Sequence, residues 1–570
     1  MNNIFDDIAA STAEALSRLD LEVSAAEIRR LIQLPTKPGF GQFAIPLFGF
    51  AKMLRQAPPV IAEKAAELIQ CPAGIREIKP VSGFLNFWEK PGTVAAMILP
   101  RIMTLKERYA ASDEGAGKVV VMDYSHPNIA KPFGVGHLRS TVIGNCLYRV
   151  LEKLSYRPVA INHLGDWGTQ FGKLIYAYRR WGSEQELSAQ PIRALYELYV
   201  RFHREAESNP ELEEHGRAEF KKLEDGDPDN RALWQRFRDL SLEEFNRIYD
   251  RLGVSFDSDA GEAFYNEHLA PLIERLQETG LAGESENALV IELDDPHLPA
   301  LVVRKADDAS LYATRDLAAA EYRQKTYHFD RALYIVGAAQ ELYFRQLFAA
   351  LKKMGYSWAE NMEHIGFGWV KFGKEIMSTR KGTVVFLDEV IEQAVQRTKD
   401  IIAEKNPDLP NVEEVAEQVG TGAVVFSQVA VRRNKDIVFS FADVLNFDGH
   451  TGPFLQYNHA RLCSLLRKHE GAVETDVDFS RLTEPEEIRL TLLLHEYPRQ
   501  VGTVAETCEP MSLAAHLIEL VDVYSSYYHR VRIITDDSAT TRARILLSAA
   551  IREVLKDGLY LLGLAAPERM

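Results

Sequence analysis

The apolar pattern of the chain is clearest around residues 119–154, where it predicts a strand, a loop and a helix. The run VVVMDYS (119–125) is apolar and β-branched, which is typical of a strand buried on both faces. After a loop rich in Pro and Gly, apolar residues from Leu138 to Leu154 recur at helical spacing along one face. A buried strand, a glycine-containing loop and a helix in this order indicate the nucleotide-binding unit of a doubly wound α/β sheet.

Further apolar runs extend this sheet. We expect the next strand at residues 158–163, and the runs at 288–293, 300–304 and 332–337 are predicted to complete the second half of the same sheet. The intervening residues, about 170–285, are charged and show helical patterns, which predicts a helical insertion. The fold class that follows is α/β, a Rossmann-like doubly wound parallel-sheet domain with a helical insertion.

Two other regions flank the sheet. The N-terminal residues mix short helices with strand-like pieces, including an aromatic-rich strand predicted at 81–88, and a small, polar linker follows at 110–117. Helical patterns dominate from about residue 388 to the end. The predicted organisation is an α+β N-terminal domain (1–112), the α/β domain (113–390), a helical stem (391–450) and an all-α C-terminal domain (451–570).

Composition narrows the class of protein. The chain has 570 residues, a length that predicts roughly three or four domains. Hydrophobic residues make up 46% and charged residues 26%, which argues against global disorder. Lys plus Arg is 66 and Asp plus Glu is 82, so the formal net charge is −16. That charge excludes a protein that coats nucleic acid by bulk electrostatics, but it leaves room for a local basic groove.

The cysteine pattern and the lack of long apolar runs indicate the cellular compartment of the protein. The four cysteines include no C-x-x-C pair, so we expect neither a disulfide framework nor a cysteine zinc site, and a reducing compartment is favoured. The N-terminus lacks the basic start and apolar run of a secretory signal, and no stretch of about 18 uncharged apolar residues occurs. We therefore expect a soluble, cytoplasmic protein without a membrane partner.

The loop between the first predicted strand and its helix carries residues suited to a phosphate. These are Asn128, Lys131, Gly134, Gly136 and His137. Free N–H groups at a helix start favour an anion, and glycine lets a nucleotide approach the backbone closely. His137 is placed to donate to a phosphate oxygen. A helix-starting loop with a capping His is the alternative.

Residues 121–145 (VMDYSHPNIAKPFGVGHLRSTVIGN) resemble the segment that holds the HIGH signature of arginyl-tRNA synthetases, a family of class I aminoacyl-tRNA synthetases. Most class I enzymes have His-x-Gly-His there, whereas this chain has Gly at position 134, so the first imidazole is missing. His126 in the same loop is a candidate replacement. The resemblance implies that ATP is bound by Pro127, Gly134, Gly136 and His137, and that His137 is also catalytic.

Residues 373–385 (GKEIMSTRKGTVV) resemble the KMSKS signature in its arginyl form. The two signature lysine positions hold Ile376 and Thr379, and in the family Lys131 is thought to offset the second loss. The resemblance implies that Lys131 and Lys381 are catalytic, because they neutralise the leaving pyrophosphate. It also implies ATP contacts from Met377, Ser378 and Arg380. A solvated basic loop is the alternative for this segment.

Two further segments, LYATRDLA and YIVGAAQEL, resemble the amino-acid pocket of the family. A planar guanidinium suits a carboxylate, because two parallel N–H donors can bind its two oxygens. The resemblance implies that Asp316 holds the guanidinium, that Tyr312 packs on its face from one helical turn earlier, and that Asp123 adds a second negative charge. Asn128 and Gln340 are then expected to fix the α-amino and carboxylate end. Taken alone, Asp316 is typical of a surface helix residue and Tyr312 of a core one.

The C-terminal third, from the run DGHTGPFLQY (448–457) onward, resembles the anticodon-binding helical domain of the family. Aromatic side chains stack on unpaired bases and arginines bind phosphates in single-stranded RNA recognition. The predicted tRNA-binding residues are Phe454, Tyr457, Arg461, Arg467, Tyr528 and Met570. The alternative for each aromatic residue is the core of a helix bundle. At the other end of the chain, the run GFLNF (83–87) resembles the additional N-terminal domain, which touches the tRNA elbow.

The resemblance implies an arginine–tRNA ligase. L-Arginine is activated by ATP to arginyl-adenylate and transferred to the 3′ end of tRNA(Arg), with activation dependent on bound tRNA. ATP arrives with Mg²⁺ as a substrate complex, and we expect no tightly bound cofactor, no metal held by the protein, no DNA partner and a monomer. Two alternatives stay open: a nucleotidyl-transferring ligase with a different acceptor, and a non-enzymatic RNA-binding paralogue.

Overall fold

The protein is described by a computed structural model, which covers residues 4–35, 39–285, 288–304, 312–372, 386–469 and 471–570. The elements of its N-terminal domain are α1 (Ile4–Ser17), α2 (Ala25–Leu31), β1 (Phe43–Pro46), α3 (Ala51–Leu54), α4 (Pro58–Leu68), β2 (Ile75–Val81) and β3 (Phe84–Glu89). The three strands form an antiparallel sheet in the order β1-β3-β2, and α4 packs against β2 and β3.

Residues 81–88 form a hairpin and not the single strand that was predicted, because β2 ends at Val81 and β3 begins at Phe84. Ser82 and Gly83 both have positive φ angles, 50° and 87°. Two central residues with positive φ twist a turn in the sense that matches the twist of the flanking strands. The Ser-Gly pair between apolar residues was therefore a turn signal.

The chain then passes through α5 (Thr93–Leu105) into the α/β domain. Up to the end of the insertion, its elements are β4 (Val119–Asp123), α6 (Val135–Lys153), β5 (Arg157–Ile161), α7 (Thr169–Trp181), α8 (Glu184–Ala189), α9 (Pro191–Ser208), α10 (Glu211–Glu224), α11 (Pro228–Leu252) and α12 (Asn266–Glu278). Those that follow are β6 (Gly283–Ser285), β7 (Ala288–Ile291), β8 (Leu301–Arg304), α13 (Tyr312–Tyr327), β9 (Arg331–Tyr334), α14 (Glu341–Lys353), β10 (Met362–His364) and β11 (Val370–Phe372).

The central sheet is parallel, with the strand order β10-β9-β4-β5. Its middle strand β4 is apolar along most of its length and pairs with a neighbour on each side, so Val120 faces Pro158 of β5 and Arg331 of β9. Helix α6 crosses from β4 to β5, and helices α7 to α12 form the insertion before the chain returns to the sheet. The predicted Rossmann-like fold class with a helical insertion is confirmed.

The prediction that residues 288–293 and 300–304 belong to this sheet is wrong. Strands β7 and β8 instead form a separate antiparallel sheet with β6, in the order β6-β7-β8. The physical reason is the length of the connection: only nine residues separate Ile291 from Leu301, whereas a parallel crossover needs a dozen or more. Of the three apolar runs, only the last, as β9, joins the parallel sheet.

The C-terminal part is mainly helical. Its elements are α15 (Leu387–Lys405), α16 (Val412–Val429), β12 (Ile437–Phe439), α17 (Phe441–Val444), α18 (Gly452–Lys468), α19 (Pro485–Thr507), α20 (Met511–Arg530) and α21 (Ser538–Leu561). Strand β12 pairs in parallel with β11, and α19 and α21 pack on α5 and α6. No helix among the described residues is long and apolar enough to cross a membrane.

Candidate active site

The ends of β4 and β9 bring the predicted site segments to one edge of the sheet. The nucleotide loop, residues 124–134 between β4 and α6, starts beside the loop that follows β9, because Ile335 N–H donates to the Asp123 carbonyl at 2.9 Å. The Ser140 hydroxyl of α6 joins the two loops: it donates to the Ile335 carbonyl at 2.6 Å and accepts from Ser125 N–H at 3.0 Å. The carboxyl edge of a parallel sheet is where such folds bind ligands.

The nucleotide loop has a backbone conformation that other residues must hold in place. Ser125, His126 and Ala130 have φ angles of 80°, 56° and 58°, a region that costs non-glycine residues free energy and that clusters at functional sites. The Ser125 hydroxyl is hydrogen-bonded to the Tyr249 hydroxyl at 2.8 Å, and Ala130 N–H donates to the Ser241 hydroxyl at 2.8 Å. Both partners lie on α11, so the insertion fixes this loop.

His137, the third residue of α6, is presented as a neutral hydrogen-bond donor. Burial and the neighbouring His126 imidazole lower the pKa of His137 to about 4. Gly134 N–H points at its Nδ1 atom at 3.3 Å, which leaves the ring proton on Nε2. A Cβ built on Gly136 meets no described atom within 4 Å, so a ligand has room to approach the backbone there. The helix start therefore offers donors to an anion without a fixed charge on His137.

Asp123, at the end of β4, has both carboxylate oxygens engaged by side chains of the protein. Oδ1 is 2.6 Å from His126 Nε2, and Oδ2 accepts from Arg323 of α13 at 2.7 Å. Burial alone raises the pKa of Asp123, but the charges of Arg323 and His126 hold that pKa below its ordinary value. Its carboxylate is thus already paired by a buried guanidinium, and direct contact with a substrate guanidinium stays a prediction.

Asp316, one turn into α13, lies near both carboxylates and buried guanidinium groups, among them Asp123 and Arg323. It accepts a hydrogen bond from the Tyr343 hydroxyl, and its Oδ1 is 4.0 Å from His163 Nε2. Burial raises the pKa of Asp316 to about 6. Glu262, just before α12, interacts with Asp316 electrostatically: burial raises the pKa of Glu262 to about 8, the Arg315 guanidinium opposes that rise, and the negative charge of Asp316 adds to it. Two carboxyl groups that are costly to ionise together favour a bound cation.

Sequence reasoning missed Glu262. It lies in a short helical segment, Glu262–Tyr265, between the charged helices of the insertion, and nothing in its neighbours separates it from other glutamates of that region. Its position is set by tertiary contacts, since the Tyr265 ring stacks on His163 with centroids 5.7 Å apart. The sequence alone therefore does not show that Glu262 lies near Asp316.

The remaining predicted arginine-binding residues surround the same edge. Asn128 bridges Gly165, and a Cβ at Gly165 would come within 2.2 Å of Asn128 Oδ1, so the missing side chain leaves room for the Asn128 amide. Tyr312 is the first residue of α13 and is 67% exposed, which contradicts the core alternative for this residue. Gln340 is exposed at the end of the short helix Ala338–Gln340.

Lys131 extends from the nucleotide loop to the insertion. Its Nζ donates to Gln170 Oε1 of α7 at 2.7 Å and lies 4.9 Å from the ring centroid of Tyr199 on α9. An amide oxygen and an aromatic face both stabilise an ammonium group. Neither contact was predicted, because Gln170 and Tyr199 are distant in sequence and sit on helices with no signature residues.

The second signature segment, residues 373–385, lies outside the described residues, and so do its predicted members Met377, Ser378, Arg380 and Lys381. The flanking residues are described. Arg139 of α6 donates to the carbonyls of Gly368, Lys435 and Arg432 at 2.9, 2.5 and 3.0 Å. These hydrogen bonds connect the residues just before β11 with α6, the helix that follows the nucleotide loop. On the other side, Leu387 N–H donates to the Phe133 carbonyl at 2.9 Å, next to Gly134.

A separate cavity of about 530 Å³ lies in the C-terminal domain. Five predicted tRNA-binding residues line it, namely Tyr457, Arg461, Arg467, Tyr528 and Met570. The Arg461 guanidinium carbon lies 4.9 Å from the Tyr457 ring centroid and 5.1 Å from that of Tyr528. Both tyrosines are over one-third exposed, so the bundle-core alternative fails for them, whereas Phe454 is half-buried against the core and does not line this cavity.

Three family models match the chain. Residues 98–441 match tRNA synthetases class I (R), catalytic domain; residues 6–88 match the arginyl tRNA synthetase N terminal domain; and residues 455–570 match the DALR anticodon binding domain.

Full-length relatives and a solved structure agree with these matches. The chain is 46% identical to the arginine–tRNA ligase of Clostridium perfringens, over 97% of this chain and 98% of the relative. It is 42% identical to that of Clostridioides difficile, over 99% of this chain and 100% of the relative. The structure of Thermus thermophilus arginyl-tRNA synthetase is similar to this one with a TM-score of 0.81 and 26% identity, over 99% of each chain.

Proposed function

The chain belongs to the arginyl-tRNA synthetase family, and we propose that it is an arginine–tRNA ligase that activates L-arginine with ATP and transfers it to tRNA(Arg). The two interacting carboxyl groups, Asp316 and Glu262, carry this proposal. A carboxyl group whose pKa burial raises to about 6, beside a second whose pKa is raised to about 8, is stabilised by a guanidinium. The pocket lies beside a loop and a helix start suited to phosphates, as a reaction between arginine and ATP requires.

The proposed reaction has two steps. An oxygen of the arginine carboxylate attacks the α-phosphorus of ATP, the bond from that phosphorus to the β-phosphate oxygen breaks, and pyrophosphate leaves with the electron pair. A ribose hydroxyl at the 3′ end of tRNA then attacks the carbonyl carbon of arginyl-adenylate, and AMP leaves as the hydroxyl proton is lost. No protein nucleophile takes part, so the protein acts by positioning and by stabilising charge.

Each group of site residues has a part in the proposed first step. The Nε2–H of neutral His137 and the N–H groups at the start of α6 donate to phosphate oxygens. Lys131, with Lys381 of the second signature segment, neutralises the leaving pyrophosphate. ATP enters with Mg²⁺ as a substrate complex. No group of three or more His, Cys, Asp or Glu side chains in the described part of the chain could hold a metal ion.

Selectivity for arginine follows from the same pocket. A neutral analogue of similar shape, such as citrulline, leaves the carboxyl groups of Asp316 and Glu262 unpaired, which is heavily penalised. Asn128 and Gln340 are proposed to bind the α-amino and carboxylate groups, and Tyr312 to cover the guanidinium.

We further propose that the C-terminal cavity binds the anticodon loop, with bases stacked on Tyr457 and Tyr528. The enzyme is proposed to act in the cytoplasm as a monomer.

ATP–pyrophosphate exchange tests this proposal. With arginine and tRNA(Arg) present, label from pyrophosphate should enter ATP, and omission of either should abolish the exchange. Exchange with arginine that needs no tRNA would contradict the proposed tRNA dependence alone. Exchange without transfer to tRNA would favour a ligase with another acceptor, and tRNA binding without exchange would favour an RNA-binding paralogue.

A further inference from the structure

The insertion contacts the nucleotide loop at several points. Ser241 and Tyr249 of α11 bind the backbone of Ala130 and the side chain of Ser125. Gln170 of α7 and Tyr199 of α9 contact the ammonium of the residue that follows Ala130, Lys131. Three helices of the insertion therefore meet at one short stretch of loop.

Two of the contacts that Lys131 makes are with uncharged groups of the insertion. The Gln170 Oε1 atom accepts a hydrogen bond at 2.7 Å, and the Tyr199 ring centroid lies 4.9 Å from Nζ. An amide oxygen and an aromatic face both orient an ammonium group.

Gln170 is placed rigidly relative to the loop. It is the second residue of α7, which begins eight residues after the end of β5. Within that connection, Gly165 N–H donates to the Pro127 carbonyl at 3.1 Å and Ile129 N–H donates to the Gly165 carbonyl at 3.2 Å. These two hydrogen bonds join the loop to the segment that leads into α7.

We propose that Gln170 and Tyr199 are positioning residues, which hold the Lys131 ammonium where pyrophosphate leaves in the first step. This inference rests on the proposed function and assigns the insertion a part in the chemistry. A lysine side chain has four rotatable bonds, and electrostatic stabilisation is strongest when the charge is oriented before the reaction. Loss of either contact removes one of the groups that orient the ammonium.

The test uses matched substitutions in the full-length enzyme. Gln170→Leu and Tyr199→Leu should each lower the turnover number of ATP–pyrophosphate exchange by about fivefold to fiftyfold, the range expected for a lost contact to a cation. The KM for arginine should stay within about twofold, because the arginine pocket is untouched. Tyr199→Phe keeps the ring face and should restore most of the activity. Gln170→Glu should be as slow as Gln170→Leu, since a carboxylate cancels the charge.

Tyr176→Leu is the control for the loss of an aromatic ring from the insertion. Tyr176 also lies on α7, and its ring stacks on His215 with centroids 5.0 Å apart. This variant should leave the exchange rate within about twofold. An equal loss in Tyr176→Leu would show general damage to the insertion and would overturn the inference.

A double-mutant cycle with Lys131→Ala separates positioning from structure. If Gln170 and Tyr199 act through the ammonium, neither substitution should slow the Lys131→Ala enzyme any further. A further slowing by the full single-mutant factor would overturn the inference, and so would a Lys131→Ala enzyme with normal exchange. Failure of the proposed function is distinguishable, because the unmodified enzyme would then show no arginine-dependent exchange. Should a leucine variant not fold, Gln170→Glu gives the same comparison with Lys131→Ala, because it is also expected to be slow.

Discussion

Two carboxyl groups determine the chemistry of the proposed arginine pocket at the scale of single residues. Asp316 was predicted from the resemblance of its segment to the family motif, and Glu262 was not, although the charge of Asp316 raises the pKa of Glu262. The motif could be seen in the sequence because its residues are contiguous. Glu262 is positioned by tertiary contacts of its segment: its N–H donates to the Leu164 carbonyl at 3.0 Å, and the Tyr265 ring stacks on His163. A single sequence carries no signal for contacts of that kind.

The pocket makes arginine use dependent on pH. Burial raises the pKa of Asp316 to about 6 and that of Glu262 to about 8, so lowering the pH protonates both and removes the charges that pair with the guanidinium. We expect kcat/KM for arginine to fall as the pH is lowered from 8 through 6, since this quantity reports ionisation in the free enzyme.

Asp316→Asn should lower kcat/KM for arginine at least about thirtyfold and leave the KM for ATP nearly unchanged.

The pH profile of Asp316→Asn completes this prediction. The decrease in kcat/KM that reports protonation of Asp316 should be lost, and the decrease that reports protonation of Glu262 should move to lower pH, because the charge of Asp316 no longer raises the pKa of Glu262. Steady-state exchange kinetics between pH 5.5 and 9 measure both. A profile identical in shape to that of the unmodified enzyme would rule out Asp316 as the titrating group.

At the scale of elements, the strand, loop and helix around residues 119–154 were predictable because apolar periodicity and the signature agree there. The β6-β7-β8 sheet was mispredicted, since a short apolar run does not specify its partner strand. The role of the insertion could not be predicted either. Its contacts with the nucleotide loop, such as Gln170 to Lys131 across 39 positions, depend on how helices pack.

Gly165→Ala probes the fit between the nucleotide loop and the segment after β5. A Cβ at this position would come within 2.2 Å of Asn128 Oδ1, the mobile end of a side chain, so the Asn128 amide should move and the backbone should not. We expect kcat/KM for arginine to fall about tenfold to a hundredfold, while the thermal midpoint changes little. Gly502→Ala in α19 is the control, because its Cβ meets no described atom within 4 Å. Equal kinetics for both variants would contradict a role for Asn128.

At the scale of the whole molecule, α6 joins the nucleotide loop to the C-terminal domain. Lys153, the last residue of α6, forms a buried ion pair with Asp557 of α21. The Asp557 carboxylate also accepts a hydrogen bond from the Tyr497 hydroxyl of α19 at 2.6 Å. Asp557→Asn leaves the Lys153 ammonium buried without its counter-charge. We expect the free energy of unfolding, measured in urea, to fall by about 3 kcal/mol. Glu214→Gln, in an exposed pair with Arg217, should change it little, and equal values would contradict the prediction.

The net charge of −16 does not prevent RNA binding, because the proposed contacts are local. Tyr457→Ala should weaken tRNA binding by about fivefold to a hundredfold, the loss expected for one stacked base, and leave the KM values for arginine and ATP unchanged. Filter binding at several salt concentrations measures this affinity. Tyr560→Ala is the control, since Tyr560 is also exposed beneath an arginine but lies outside the cavity. Unchanged tRNA affinity in Tyr457→Ala would contradict an anticodon contact.

Aminoacylation tests the central claim most directly. The purified enzyme is incubated with ATP, Mg²⁺, total tRNA and one radiolabelled amino acid at a time, and acid-precipitable label is counted. We predict that arginine alone is attached to tRNA, that citrulline and lysine are not, and that Asp316→Asn abolishes the signal at physiological arginine concentration. Absence of arginyl-tRNA, or attachment of lysine or citrulline at the same rate as arginine, would contradict the account.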